Sequence, residues 1–280
     1  MSPIHDQGYR RYGGQRTPPG RAWSVIANAG IRTMLSKRSF IALLLLAWLP
    51  FVVRAVQIYA AATLPQAAFL APDARMFRQF LEQQEVFLFF ITVYAGAGLI
   101  ATDRRANALQ IYLSKPLSRF EYVFGKLAIL STFLLFVTWV PAVFLLLIQV
   151  MFSGSFRFFL DNLFLFPAIT IFSFIQVIAV ASAMLALSSL SNSSRYVGVL
   201  YTGLLFFSQA LYGIVFGVTR DSRLGWISPA NDLNRIGDAI FRIPPRFQLS
   251  VWVACLAVAA LIAVSAVILE KRVRGVEVVA

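Results

Sequence analysis

The chain contains one cysteine and one histidine in 280 residues. A lone cysteine forms no internal disulfide, and Cys255 lies in an apolar run, where a thiol packs as a small hydrophobe. A lone histidine, His5, in a polar tail, builds no histidine metal cluster. No G-x-x-x-x-G-K-[ST] loop occurs: Gly125-Lys126 lacks the upstream glycine and the following hydroxyl, so hydrolysis of ATP by this chain is excluded. The H-E-x-x-H and G-x-S-x-G patterns are missing too, which excludes an intramembrane metalloprotease and a histidine-dependent serine hydrolase. Asp73, Asp103, Asp161, Asp221, Asp232 and Asp238 stand singly or in one late loop, so no carboxylate cluster offers itself to Mg²⁺. No catalytic residue, metal ligand or cofactor is assigned to this chain.

Charge is also scarce. Only 13% of residues are charged while 59% are hydrophobic, which excludes an ordinary soluble domain. The net charge of +13 comes from basic residues that flank apolar runs, so membrane orientation and anionic headgroups explain it better than nucleic acid does. Six runs approach the roughly 20 residues needed to cross about 30 Å of hydrocarbon: residues 39–62, 86–102, 122–151, 163–188, 196–218 and 249–269. The fold class expected is an all-α integral membrane protein with six transmembrane helices in one domain, 21–280. The Gly-, Pro- and Arg-rich stretch 1–20 is expected to be a disordered cytoplasmic tail.

Before the first run, Trp23, Ile26, Ala27, Gly30, Ile31 and Met34 recur at helical spacing, with Ser24, Asn28 and Arg32 opposite. This spacing predicts an amphipathic helix in the headgroup plane, anchored by Trp23, Arg32, Lys37 and Arg38. In span one, Arg54 and Gln57 either snorkel to the outer interface or line a pathway. Residues 63–85 read as an outer segment in which Pro72 favours a helix start, with Arg78 and Glu82 at i, i+4. Span two is short and carries a small-residue patch, Ala95 to Gly98, and Pro141 predicts a kink in span three. Gln176 in span four satisfies a neighbouring helix or faces a pathway. Gln209 and the Gly213-x-x-x-Gly217 pair in span five are candidate pathway or dimer contacts, although glycine is common in membrane helices. Residues 220–248 form an outer segment with a short helix after Pro229: a solvated loop, or a gate dipping into the outer leaflet. Sixteen basic residues fall in the segments assigned inside and eight in the outer loops, which places both termini in the cytoplasm.

The interval between two spans with the largest net positive charge runs from Asp103 to Lys126. Ala106, Leu109, Tyr112 and Leu113 make an apolar stripe, predicting a helix from Asp103 to Ser114 that Pro116 stops. Ser118 and Glu121 then form a capping box, with Leu117 and Tyr122 placed for a hydrophobic staple. The spacing alone suits either a cytoplasmic loop that follows the positive-inside rule or a helix held at a fixed angle to take a push from a soluble partner.

The residues Leu99 to Arg105, Ala108-Leu109, Tyr112 to Arg119 and Gly125-Lys126 resemble the signature of ABC type-2 permeases, the membrane subunits of ABC transporters. In that family an acidic-basic pair ends the second span and a Ser-x-Pro-apolar-Ser/Thr-Arg turn leads to Gly-Lys at the third. The resemblance implies that the interval is a coupling helix gripped by a separate cytoplasmic ATPase, present in two copies, which binds the ATP and Mg²⁺. The coupling residues would be Asp103, Arg104, Arg105, Leu109, Leu113, Pro116 and Arg119. It also implies an elbow helix before span one, a second permease copy (a homodimer rather than a heterodimer), a bacterial cytoplasmic membrane, and export. Two rival classes are an integral membrane lipid-modifying enzyme, which would turn over lipid unaided, and a scaffold, which would bind a partner without transport.

Overall fold

The computed structural model describes residues 22–70, 72–108, 118–152 and 163–273, and no strand occurs among them. Six helical segments are long and apolar enough to cross a membrane: Arg38–Thr63, Ala74–Arg105, Arg119–Phe152, Leu165–Leu190, Ser194–Thr219 and Val251–Arg272. The expected tail, 1–20, lies outside the described residues.

The amphipathic helix is α1, Ala22–Leu35. It packs along the first half of span three. A Cβ on Gly125 would come within 3.0 Å of both the Ile26 side chain and the Trp23 carbonyl, so glycine there sets how closely the two helices cross. Span one consists of α2, Arg38–Ala47, and α3, Leu49–Thr63, joined at Trp48 where Pro50 restarts the helix.

Span two departs most from its expected form. Its first helix, α4, runs over Ala74–Ile91, starting about three turns before Val86. The Asp73 side chain caps it by accepting the Met76 N–H at 2.9 Å. Met76, Phe77, Phe80 and Leu81 face inward and pack with Ala142, Leu145 and Phe172, and this buried stripe makes the presumed outer segment part of the span. A π-helical turn, Thr92–Gly96, and an irregular stretch then interrupt the helix before α5, Ala101–Arg105, ends it. In hydrocarbon such a break needs partners for the freed backbone. Ser188 of span four supplies them: its Oγ accepts the N–H of Ile100 and of Ala101, each at 3.1 Å, and donates to the Ala97 carbonyl at 2.9 Å. Gly96, from the small-residue patch, lies against Met184 and Leu130 with no room for a Cβ.

Span three is α6, Arg119–Val137, and α7, Trp139–Phe152. The expected kink falls at Thr138, three residues before Pro141. Pro141 has no N–H to offer the Val137 carbonyl, and the Thr138 hydroxyl bonds back to the Leu134 carbonyl at 2.8 Å. Span four is α8, Leu165–Leu190, the centre of the bundle, with 67% of its most apolar window buried. Spans five (α9, Ser194–Thr219) and six (α11, Val251–Arg272) lie at the perimeter, 11% and 17% buried, as does span one at 17%.

Between spans five and six, α10, Pro229–Ile240, is tucked into the bundle and is no solvated loop. Leu233 and Ile236 pack with Ala179 of span four and Leu249, Ala254 and Val258 leading into and along span six.

The bond set around Ser188 yields a prediction. Ser188→Ala leaves two buried N–H groups without a partner, so unfolding in detergent followed by circular dichroism should show a loss of about 1–3 kcal/mol.

Candidate functional site

Two polar sites stand out in this apolar chain, one at each end of span two. The first joins the end of that span to the start of the next. Asp103 sits on α5 and Lys126 and Tyr122 on the second turn of α6. Lys126 Nζ lies 2.7 Å from Asp103 Oδ2, and the Tyr122 hydroxyl donates to the same oxygen at 2.7 Å. Both ionic side chains are mostly buried, at 12% and 17% exposed, so the pair clamps two spans together with little competition from water.

Below the clamp, the expected capping box is present: Glu121 N–H donates to Ser118 Oγ and Ser118 N–H to Glu121 Oε2, each at 3.1 Å. Glu121 also accepts the Ala22 N–H at 3.3 Å, which ties the start of α1 to the start of span three. Trp23 meets Phe124 edge to face at 5.0 Å, giving it a protein partner beside any membrane contact. Arg32, Lys37 and Arg38 are exposed, and Lys37 lies over the Tyr94 ring at 5.8 Å. A cleft of about 720 Å³ opens between α1, the α5 end of span two and α6, with Lys37, Asp103, Lys126 and Arg195 on its walls.

The sequence-predicted coupling residues divide sharply. Asp103 is engaged within the chain. Arg104 is half-buried with a shielded Nη1 that has no hydrogen-bond partner among the described residues, while Arg105 and Arg119 are exposed. Leu109, Leu113 and Pro116, and Leu117 of the expected staple, lie outside the described residues. The helix expected from Asp103 to Ser114 is not continuous: α5 stops at Arg105, and Asn107 takes the left-handed conformation, φ 53°, that ends helices and that asparagine tolerates.

The second site lies at the other end of span two. Arg78, 1% exposed, is held by Asp238 of α10 with Nε 3.5 Å from Oδ1, by the Asn234 amide oxygen, and by the Phe172 ring 4.8 Å from its guanidinium carbon. Glu82, four residues on, pairs with Arg246 at 2.6 and 2.8 Å instead of with Arg78. The i, i+4 pairing expected from the sequence is therefore replaced by two bridges from α4 to α10 and the segment after it. Packing decides this, because Arg78 shares the buried face with Phe77 and Leu81 while Glu82 does not. Around these bridges, Arg78 Nη1, Ser173 Oγ, Gln176 Oε1, Asn231 Nδ2, Asp232 Oδ1 and Asp238 Oδ2 are buried with no hydrogen-bond partner among the described residues. Burial pushes the Asp232 carboxyl up to about 7, and the hydrogen bonds that Arg246 donates to the Glu82 carboxylate hold its guanidinium above the usual range.

The remaining candidates fall as follows. Arg54 bonds Gln57 at 2.9 Å and Gln83 of span two at 3.3 Å, which fastens span one to span two. Gln176 is buried at the centre, 2% exposed. Gln209 accepts from Ser228 at 2.7 Å, linking span five to the start of α10. Gly213 and Gly217 have nothing within 4 Å of a would-be Cβ among the described residues, so this face of span five packs on none of them. Sequence reasoning missed Ser188, the Lys126–Asp103 clamp and Arg78–Asp238. Each joins residues distant in sequence, and only the buried stripe 76, 77, 80, 81 offered a signal.

Two outcomes follow for these sites. Replacing Asp103 alone with Leu strands Lys126, so it should cost about 1–2 kcal/mol more in detergent unfolding than the double change Asp103→Leu/Lys126→Met. Because Asp232 holds its proton to a higher pH when folded than when unfolded, it stabilises fully at about pH 4 and that stabilisation fades towards pH 7. Asp232→Asn should therefore lose less melting temperature than the parent between those two pH values.

No curated protein matches the chain. A family comparison does: residues 24–272, nearly all of the six-span body and its preceding helix, match the ABC-2 family transporter proteins. The chain belongs to the ABC-2 transporter family, as a multi-pass membrane component of an ABC transporter.

Proposed function

We propose that the chain is the permease of an exporter in a bacterial cytoplasmic membrane, driven by two copies of a separate cytoplasmic ABC ATPase and completed by a second copy of itself. Both termini and the interval 103–126 face the cytosol in this reading, in line with the excess of basic residues there. ATP and Mg²⁺ bind to the partner, since this chain has no phosphate-binding loop.

The observation that carries the proposal is the Asp103–Lys126–Tyr122 clamp beside exposed Arg105 and Arg119. A push on residues 104–119 acts on the ends of spans two and three together, because the clamp holds those ends as one body. Arg104, Arg105 and Arg119 would pair with acidic groups of the ATPase, while Leu109, Leu113 and Pro116 would fill its groove. The break at residues 97–100 lies just above the clamp and gives span two a joint where the inner end turns relative to α4. The bare Gly213 and Gly217 face of span five suits contact with the second copy.

The test is co-purification with, and stimulation of, an ABC ATPase expressed from the same genome. Leu109→Asp/Leu113→Asp should abolish both at unchanged expression and melting temperature; unchanged ATPase binding by that variant contradicts the proposal.

A further inference from the structure

A small chamber of about 90 Å³ lies between spans two, four, five and six under the first turn of α10. Its walls are mostly apolar, with Leu204 and Leu261 among them. Its polar lining is Glu85, the amide of Gln176 and the ring of Tyr201, which stacks on Phe89 at 6.0 Å with the planes 19° apart. Among the described residues no basic side chain lines it. Glu85 makes no hydrogen bond and no ion pair among the described residues, and the nearby Arg78 is already held by Asp238, Asn234 and the Phe172 ring. The Gln176 oxygen, on a side chain 2% exposed, also has no partner.

We infer that this chamber receives the cationic ammonium group of a lipophilic amine, with Glu85 as its counter-ion, Gln176 as an acceptor and Phe89 and Tyr201 as an aromatic wall. The inference rests on the export reading and names the class of cargo. An ionisable side chain between membrane helices is costly unless it meets an opposite charge. A neutral occupant would leave the carboxylate desolvated, and an anion would meet acceptors and the negative faces of π-systems. A cation satisfies all of these groups at once. The volume suits the ammonium and its first carbons, and the apolar body would extend past Leu204, which is 37% exposed, towards the lipid. Glu85 precedes Asp103 by 18 residues. Glu85 lies on α4, across the break from Asp103, so with the clamp on the cytosolic side this carboxylate sits in the opposite half of the span. That is the exit side for exported cargo.

The probe is dansylcadaverine, a primary ammonium on an aromatic body, titrated by fluorescence into the full chain in phosphatidylcholine nanodiscs, with empty nanodiscs as blank. Saturable binding is expected. The neutral N-acetylated probe should bind at least about tenfold more weakly, a difference of about 1.4 kcal/mol. Glu85→Gln should weaken the charged probe by a similar factor, Glu85→Asp by only about two- to threefold, and Leu204→Trp, which fills the chamber, should abolish binding. Equal affinity for the charged and acetylated probes overturns the inference, as does unchanged binding by Glu85→Gln. Should Glu85→Gln fail to fold, the comparison of the two probes on the parent chain still decides. A chain that docks its ATPase yet shows no preference for charge keeps the export reading and loses the amine site; a chain that prefers the charged probe but docks no ATPase does the reverse.

Discussion

Three hydrogen bonds made by one hydroxyl govern this structure. Inside a bilayer no water satisfies a broken helix, so span two can be interrupted at residues 97–100 only because Ser188 accepts two of the freed N–H groups and donates to a carbonyl. That requirement explains why span four is central and rich in small residues: its backbone must come close enough to span two for a serine to reach. It also explains why glycine is needed at 96, where a larger residue would collide with Met184 and lever the two helices apart. The break divides span two into an outer rod, α4, and a short inner end, α5, and each part belongs to a different assembly of side chains.

The inner end belongs with span three and α1. Asp103, Lys126 and Tyr122 join the two spans, and Glu121 joins span three to the first residue of α1, so three elements at this face share one bonded frame. The outer rod belongs with α10, through Arg78–Asp238 and Glu82–Arg246. The buried pairs Asp103–Lys126 and Arg78–Asp238 thus stand at the two ends of span two, with the break between them.

Much of this was legible in the sequence where the signal is local. The six apolar runs, the amphipathic spacing of Trp23 to Met34, the Pro141 kink and the Ser118–Glu121 capping box depend on neighbours within a few residues, and the structure has each of them. Residues 74–85, ahead of which Pro72 signals a helix start, fall outside the apolar run of span two because arginine, glutamine and glutamate dilute the hydropathy of a stripe that is nonetheless buried at 76, 77, 80 and 81. Asn107 ends a helix that periodicity alone continued, since the spacing of Ala106 and Leu109 carries no information about backbone φ. The clamp and the outer bridges stayed hidden for a different reason: Asp103 and Lys126 are 23 residues apart, Arg78 and Asp238 far more, and no sequence spacing records which buried charges meet.

The account stands on the basic interval between spans two and three facing the compartment that holds ATP. In a Cys255→Ala background, Lys115→Cys should react with a membrane-impermeant maleimide in sealed inside-out vesicles and stay unlabelled in right-side-out spheroplasts. Labelling of Lys115→Cys from the outer face of intact spheroplasts would contradict the account, since no cytosolic ATPase could then reach the clamp.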